Sequence, residues 1–272
     1  MSERNGLGAA VEDLHTLSKR LRRECPWDRV QTERSIVPHT IEEAYEVAEA
    51  ALCADDEKLV DELGDLLFQV VFLAALLEER DSGSLEQVVR GVHAKLIRRH
   101  PHVFGDVTLD SPDEVRASWE AIKVSQEGRE GIFHDIPGTL PGLLRARKVQ
   151  RRAAAVGFDY PDERSASAGL DEELSELRAA SRAVRLSEES SEPDPHVFAE
   201  VGDSLFALVS VARKVDVDPE LSVIAASRRF SERIESAVRL AELDGHEFEA
   251  LSLSEQDDYF RTARRGKDEA SE

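Results

Sequence analysis

The chain has 272 residues, enough for one large domain or two of ordinary size. It is 41% hydrophobic and 33% charged with only 15 glycines and 10 prolines, the balance of a globular protein rich in helix formers. A net charge of −21 repels polyanions, which argues against nucleic acid or an acidic membrane as a partner. No apolar run is expected to approach the roughly 20 residues that span a bilayer, and the N-terminus carries no hydrophobic signal region. The two cysteines, Cys25 and Cys53, lack metal-ligand spacing and read as buried small hydrophobes in a reducing cytoplasm.

Taken in order, Val11, Leu14, Leu17 and Leu21 recur at three and four residues and predict an amphipathic helix over 9–24. It should end at Cys25-Pro26-Trp27-Asp28, because proline disfavours helix in the residue before it. Residues 29–39 are then expected as a connection, with Thr40 and Glu43 as a capping box for the next helix. That helix carries Glu43 and Glu46. Asp55 or Asp56 caps a long helix to about residue 79 that carries Glu62 and Asp65 within the apolar run Leu63, Leu66, Leu67, Phe68, Val70, Val71, Phe72, which reads as buried. Gly64, mid-helix, is expected to mark a close approach by backbone or ligand. A fourth helix over 84–99 bears Lys95 and Arg99 one turn apart and ends at Arg98-Arg99-His100-Pro101-His102. A short helix over 112–126 surrounds Trp119. The glycines and prolines between 127 and 142 mark an interdomain linker.

Past the linker the pattern begins again. A basic helix over 143–155 leads to Val156-Gly157-Phe158-Asp159-Tyr160, in the place of Cys25-Pro26-Trp27-Asp28. Glu172, Glu173 and Glu176 match the first carboxylate helix, and Glu200-Val201-Gly202-Asp203-Ser204-Leu205-Phe206 repeats the second, glycine included. Arg229 and Arg233 keep the spacing of Lys95 and Arg99, and Phe260 falls where Trp119 fell. The expected organisation is therefore all-α, as two tandem helical bundles: an N-terminal domain at 1–126, a linker at 127–142, a C-terminal domain at 143–265 and a disordered tail at 266–272.

Carboxylates three residues apart share one helix face. Four of them converging from two helices repel by on the order of several kcal/mol per close pair at an effective dielectric near 20. They must share protons, pair with cations or bind metal. Neither motif contains the histidine of a di-iron bundle, and an all-oxygen set suits a hard ion, Mg²⁺ or Mn²⁺. The following basic pair could then hold phosphate oxygens, and an aromatic ring could stack a base. Taken singly, each basic pair could equally be an interhelical salt bridge, and each aromatic a core residue.

As a set, Cys25-Pro26-Trp27-Asp28, Glu42-Glu43-Ala44-Tyr45-Glu46, Glu62-Leu63-Gly64-Asp65-Leu66-Leu67, Arg98-Arg99-His100-Pro101-His102-Val103-Phe104, Trp119-Glu120-Ala121-Ile122-Lys123 and Val156-Gly157-Phe158-Asp159-Tyr160 resemble the MazG-type nucleoside triphosphate pyrophosphohydrolases of the two-domain bacterial kind. The resemblance spans about residues 10 to 262. It implies two MazG-like all-α bundles in a homodimer, and Mg²⁺-dependent hydrolysis of nucleoside triphosphates to monophosphate and pyrophosphate. By the same resemblance the metal ligands fall on Glu173, Glu176, Glu200 and Asp203, phosphate contacts on Arg229 and Arg233, and base stacking on Phe260. Glu43, Glu46, Glu62, Asp65, Lys95, Arg99 and Trp119 are the first-half equivalents, and the C-terminal copy is the one expected to be catalytic. Glu172 or Glu176 could accept the proton of the attacking water. The chain departs from the family at Gln31-Thr32-Glu33, and at Ser204, Ser227, Arg229 and Phe260, where leucine, asparagine, lysine and tryptophan are expected. The rival reading from another class is a non-catalytic helical protein that senses nucleotides or docks a partner.

Overall fold

The computed structural model describes residues 3–112, 114–115, 118–119, 122, 131–134, 136–184 and 194–268. Among them are ten α-helices and no strands. The chain divides into two compact units, Met1–Gly131 and Ile132–Glu272. Most of the expected helix at 112–126, residues 127–130 and 135 of the expected linker, and much of the loop at 188–195 lie outside the described residues.

The first unit holds α1 (Glu3–Glu24), α2 (Glu33–Cys53), α3 (Asp56–Glu79), α4 (Leu85–Arg99) and the single turn α5 (Pro101–Phe104). Its centre is the α2–α3 hairpin, against which α1 packs through α3. Asp55 caps α3 by accepting from Lys58 N at 3.0 Å. The capping box of α2 is not at Thr40 and Glu43 but at Thr32 and Ser35, whose hydroxyls each accept from the other's backbone N–H, at 3.3 and 2.8 Å. The expected connection at 29–39 is therefore mostly helix. Pro38 lies inside α2, where it forfeits one backbone bond without ending the helix. Thr40 is an interior residue that donates to Ile36 O. Glu43 is thus released from capping and free to point at α3.

Ile36, Phe72 and Leu76 form one apolar cluster, and Val71, Ala74 and Leu85 another, with Val11 and Leu14 of α1 packed on it. Arg22 lies over the Phe72 ring at 5.5 Å and forms a paired bond to the Glu79 carboxylate at 2.6 and 2.8 Å. The apolar run of α3 is not wholly buried: Phe72 is 1% exposed, but Leu63 and Leu67 are 48% and 45% exposed. The reason is geometric, since the hairpin covers one side of α3 and the run is apolar all round. Cys25 is half-buried and Cys53 exposed, contrary to the expected burial of both.

The second unit holds α6 (Gly142–Ala154), α7 (Glu163–Val184), α8 (Pro195–Lys214), α9 (Pro219–Leu243) and α10 (Leu253–Asp268). The α7–α8 hairpin repeats α2–α3, α6 packs on α8, and α9 on α10. Asp194 and Asp218 cap α8 and α9, each followed by proline at the first helical position, where a missing N–H is harmless. Asp159 binds Arg213, and Lys214 at 2.8 Å, which ties the α6–α7 connection to the end of α8. Gln150 donates to Phe206 O at 2.7 Å. Contrary to expectation, one described helix, α8, is long and apolar enough to cross a membrane by length and composition. It is the second helix of the hairpin and carries Glu200 and Asp203. The final helix continues to Asp268, and the rest of the expected tail lies outside the described residues.

Candidate metal centre

Each hairpin brings together three carboxylates, one from its first helix and two from its second. In the first unit these are Glu43 of α2 with Glu62 and Asp65 of α3. In the second they are Glu173 of α7 with Glu200 and Asp203 of α8. In each set, one oxygen per residue lies within 4.8 Å of those of the other two. The three-residue spacing turns both α3 or α8 carboxylates toward the neighbouring helix.

Of the expected quartets, Glu46 and Glu176 are exposed and stand outside these groups, as does Glu172. Their influence is electrostatic. Partial burial raises the Glu43 carboxyl, and a hydrogen bond with Glu46 and the charges of Asp65 and Glu46 raise it further, against the opposing Gln69. Glu173 is raised by partial burial and then by Asp203, Glu176, Glu200 and Glu172. Glu62 is raised by partial burial and by Glu46, with Lys58 opposing. Like charges are being held together, which a divalent cation would reverse.

The second centre contains the feature most suited to a cation. Glu200 is 7% exposed and its Oε2 has no hydrogen-bond partner among the described residues. A buried carboxylate oxygen left without a donor is costly, and three carboxylate oxygens within 4.8 Å of one another could hold a metal ion. Ser204, one turn on from Glu200, is also buried, and its hydroxyl has no partner among the described residues.

In both units a residue next to the basic pair in sequence meets the expected aromatic. Arg229 and Arg233 lie on α9 and make no ion pair among the described residues. Phe230, between them in sequence, meets Phe260 of α10 with ring centroids 5.7 Å apart. In the first unit Lys95 and Arg99 lie on α4, and His100, next to Arg99, meets Trp119 edge-on at 5.1 Å. Trp119 Nε1 is buried without a partner among the described residues. A Cβ built on Gly64 or Gly202 would meet nothing within 4 Å. The backbone approach expected at Gly64 is therefore absent, and the missing side chain leaves open space beside Asp65 and Asp203.

Three residues near the carboxylates were missed in the sequence, although their spacing exposes them. His196 precedes Glu200 by one turn, and its Nδ1 lies 3.2 Å from Glu200 Oε1. Lys58 holds the same offset before Glu62. Gln69 follows Asp65 by one turn, and its Nε2 lies 3.4 Å from Glu43 Oε1.

Comparison with known proteins identifies relatives over most of the chain. Residues 31–104 match the MazG nucleotide pyrophosphohydrolase domain. The chain is 38% identical over 263 residues to the nucleoside triphosphate pyrophosphohydrolase/pyrophosphatase MazG of Thermotoga maritima, covering 95% of this chain and 97% of that one. It is 35% identical over 261 residues to the nucleoside triphosphate pyrophosphohydrolase of Escherichia coli K12, covering 94% and 97%. Among solved structures, a mazG-related protein from Thermotoga maritima matches with 28% identity and a TM-score of 0.37, over 42% of this chain and 99% of that chain.

Proposed function

The chain belongs to the MazG nucleoside triphosphate pyrophosphohydrolase family, and from that premise we propose that its second unit hydrolyses nucleoside triphosphates to the monophosphate and pyrophosphate with magnesium as the cation. The observation that carries the assignment to this unit is Glu200 Oε2, buried and unpartnered within the Glu173–Glu200–Asp203 group. In the first unit Gln69 already engages Glu43. No comparable side-chain amide stands at that offset in the second, where the residue is Ala207.

Glu173, Glu200 and Asp203 would hold the cation, which when bound supplies positive charge to the phosphate oxygens and polarises the reacting phosphorus centre. Arg229 and Arg233 hold the outer phosphates and offset the charge that develops on the leaving pyrophosphate. Phe260, braced by Phe230, offers its face to the base. Glu176, exposed on α7 beside Glu173, takes the proton of the attacking water at its carboxylate, with Glu172 as the neighbouring alternative. Water adds to the α-phosphorus, the α–β bridging bond breaks, and pyrophosphate leaves.

We place the active form as a homodimer in the cytoplasm, with nucleoside triphosphates as substrates and neither nucleic acid nor membrane as a partner. Support for the dimer comes from apolar side chains left open on both hairpins, Ile41, Leu63 and Leu67 on one and Phe198, Val201 and Leu205 on the other.

The test is product identity. Purified protein with Mg²⁺ and a panel of triphosphates should release monophosphate and pyrophosphate in equal amounts. Diphosphate with orthophosphate would reject this reading.

A further inference from the structure

We propose that Gln69 belongs to the first unit's metal site, holding the Glu43 carboxylate with its amide nitrogen and accepting a hydrogen bond at its amide oxygen from a water on the cation. The proposal rests on the reading that Glu43, Glu62 and Asp65 hold a divalent cation.

Gln69 stands four residues after Asp65 and seven after Glu62, so all three share one face of α3. The residue is 8% exposed, and Nε2 lies 3.4 Å from Glu43 Oε1. An ionised carboxylate accepts but cannot donate, so the amide must present its NH₂ to Glu43. That leaves Oε1 as a buried acceptor with no partner among the described residues. A side chain held at one end by a metal-site carboxylate, and lacking a donor at the other, is completed by a water that the cation orients. Water on a divalent cation is a strong donor, because the charge polarises its O–H bonds.

The second unit is an internal comparison. Ala207 occupies the same offset, seven residues after Glu200, so its methyl group cannot hold Glu173 or order a water. The two centres share three carboxylates but differ in what supports them. The first has an amide brace; in the second, His196 stands beside Glu200 instead.

The experiment uses the full-length chain with Asp203→Asn, which disables the second centre, and titrates Mn²⁺ by calorimetry and by the resonance signal of free Mn²⁺. Gln69→Met keeps the side-chain volume and removes both amide groups. Gln69→Ala reproduces the residue found in the second unit. Both should weaken Mn²⁺ binding by about tenfold or more. Metal-free Gln69→Met should melt no lower than its parent, because an unpaired buried acceptor has gone. Mn²⁺ affinity within twofold of the parent in both variants would overturn the proposal. So would a lower metal-free melting temperature with an unchanged metal-induced increment, the pattern of a purely structural residue. Glu62→Gln in the same background separates the underlying reading. If it leaves Mn²⁺ binding intact, the first-unit metal site itself fails and the role of Gln69 falls with it.

Discussion

His196 Nδ1 stands 3.2 Å from Glu200 Oε1, one turn earlier on α8. In the first unit Lys58 holds the corresponding place before Glu62, where its charge opposes the upward shift of that carboxyl, and its Nζ lies 3.6 Å from Glu49. Each hairpin therefore sets a basic residue beside the carboxylates that its fold forces together. Lys58 does not cancel the repulsion in the first unit, since Glu43 and Glu62 remain raised, and Glu173 is raised in the second. The carboxylate groups are thus a source of strain in the metal-free protein and of affinity in the metal-bound one.

The first consequence concerns neutral variants. Removing one charge from the second group by Asp203→Asn should raise the metal-free melting temperature by about 1–3 °C while erasing most of the increment that Mg²⁺ or Mn²⁺ adds there. Scanning calorimetry with chelator and with excess metal reads both quantities. A lower metal-free melting temperature would mean that Asp203 is a structural partner instead.

The pH dependence has a definite sign. Glu43, Glu62 and Glu173 titrate above the ordinary glutamate range in the folded chain, so over that window the folded state binds more protons than the unfolded state. Metal-free stability must then fall as pH rises from the ordinary glutamate range through their raised values. Asp159 behaves oppositely: burial alone would raise it, but hydrogen bonds from Arg213 and Lys214 outweigh burial and hold it low. Glu79 is held low mainly by its hydrogen bond from Arg22. Stability from these two is present above the ordinary carboxylate range and is lost as pH falls through their lowered values. Urea unfolding with chelator should therefore give a maximum at mildly acid pH. Added metal should flatten or invert the decline above it, because the cation competes with protons for the same oxygens.

Asp159 supplies a fold prediction independent of the metal. It joins the α6–α7 connection to Arg213 and Lys214, whose side chains are only 14% and 17% exposed. Asp159→Ala leaves two mostly covered cations without their carboxylate and should cost about 1–3 kcal/mol in chemical unfolding. Asp159→Asn should lose less, since the amide oxygen still accepts.

The exposed apolar strip makes a prediction about assembly. Leu67 is 45% exposed on α3, and Leu67→Glu should halve the mass seen by light scattering while leaving the helical circular dichroism unchanged. A monomeric parent would refute the proposed homodimer.

Much of this was legible in the chain. Glu43, Glu62 and Asp65, and their repeat at Glu173, Glu200 and Asp203, were identified by three-residue spacing, because helix geometry alone sets which neighbours share a face. A cap at Asp55 or Asp56 was legible because aspartate before a long apolar run has a local role, and the structure gives it to Asp55. The start of α2 was not legible: Thr40 with Glu43 fits the usual threonine–glutamate capping signature, whereas the box that forms pairs Thr32 with a serine, Ser35. Which face of α3 is covered was also hidden, since a run that is apolar on all sides does not say where its partner helix lies. Nor could spacing within one helix separate Glu43 from Glu46. Only the approach of α3 decides that Glu43 faces the group and Glu46 lies beside it.

The most direct test of the central claim compares matched variants of the two groups in one pyrophosphate-release assay. With saturating Mg²⁺ and a preferred triphosphate, Glu200→Gln should reduce turnover by at least about a hundredfold while the protein stays folded, and Glu62→Gln should retain most of it. Loss of activity in Glu62→Gln with full activity in Glu200→Gln would place the chemistry in the first unit and contradict the account.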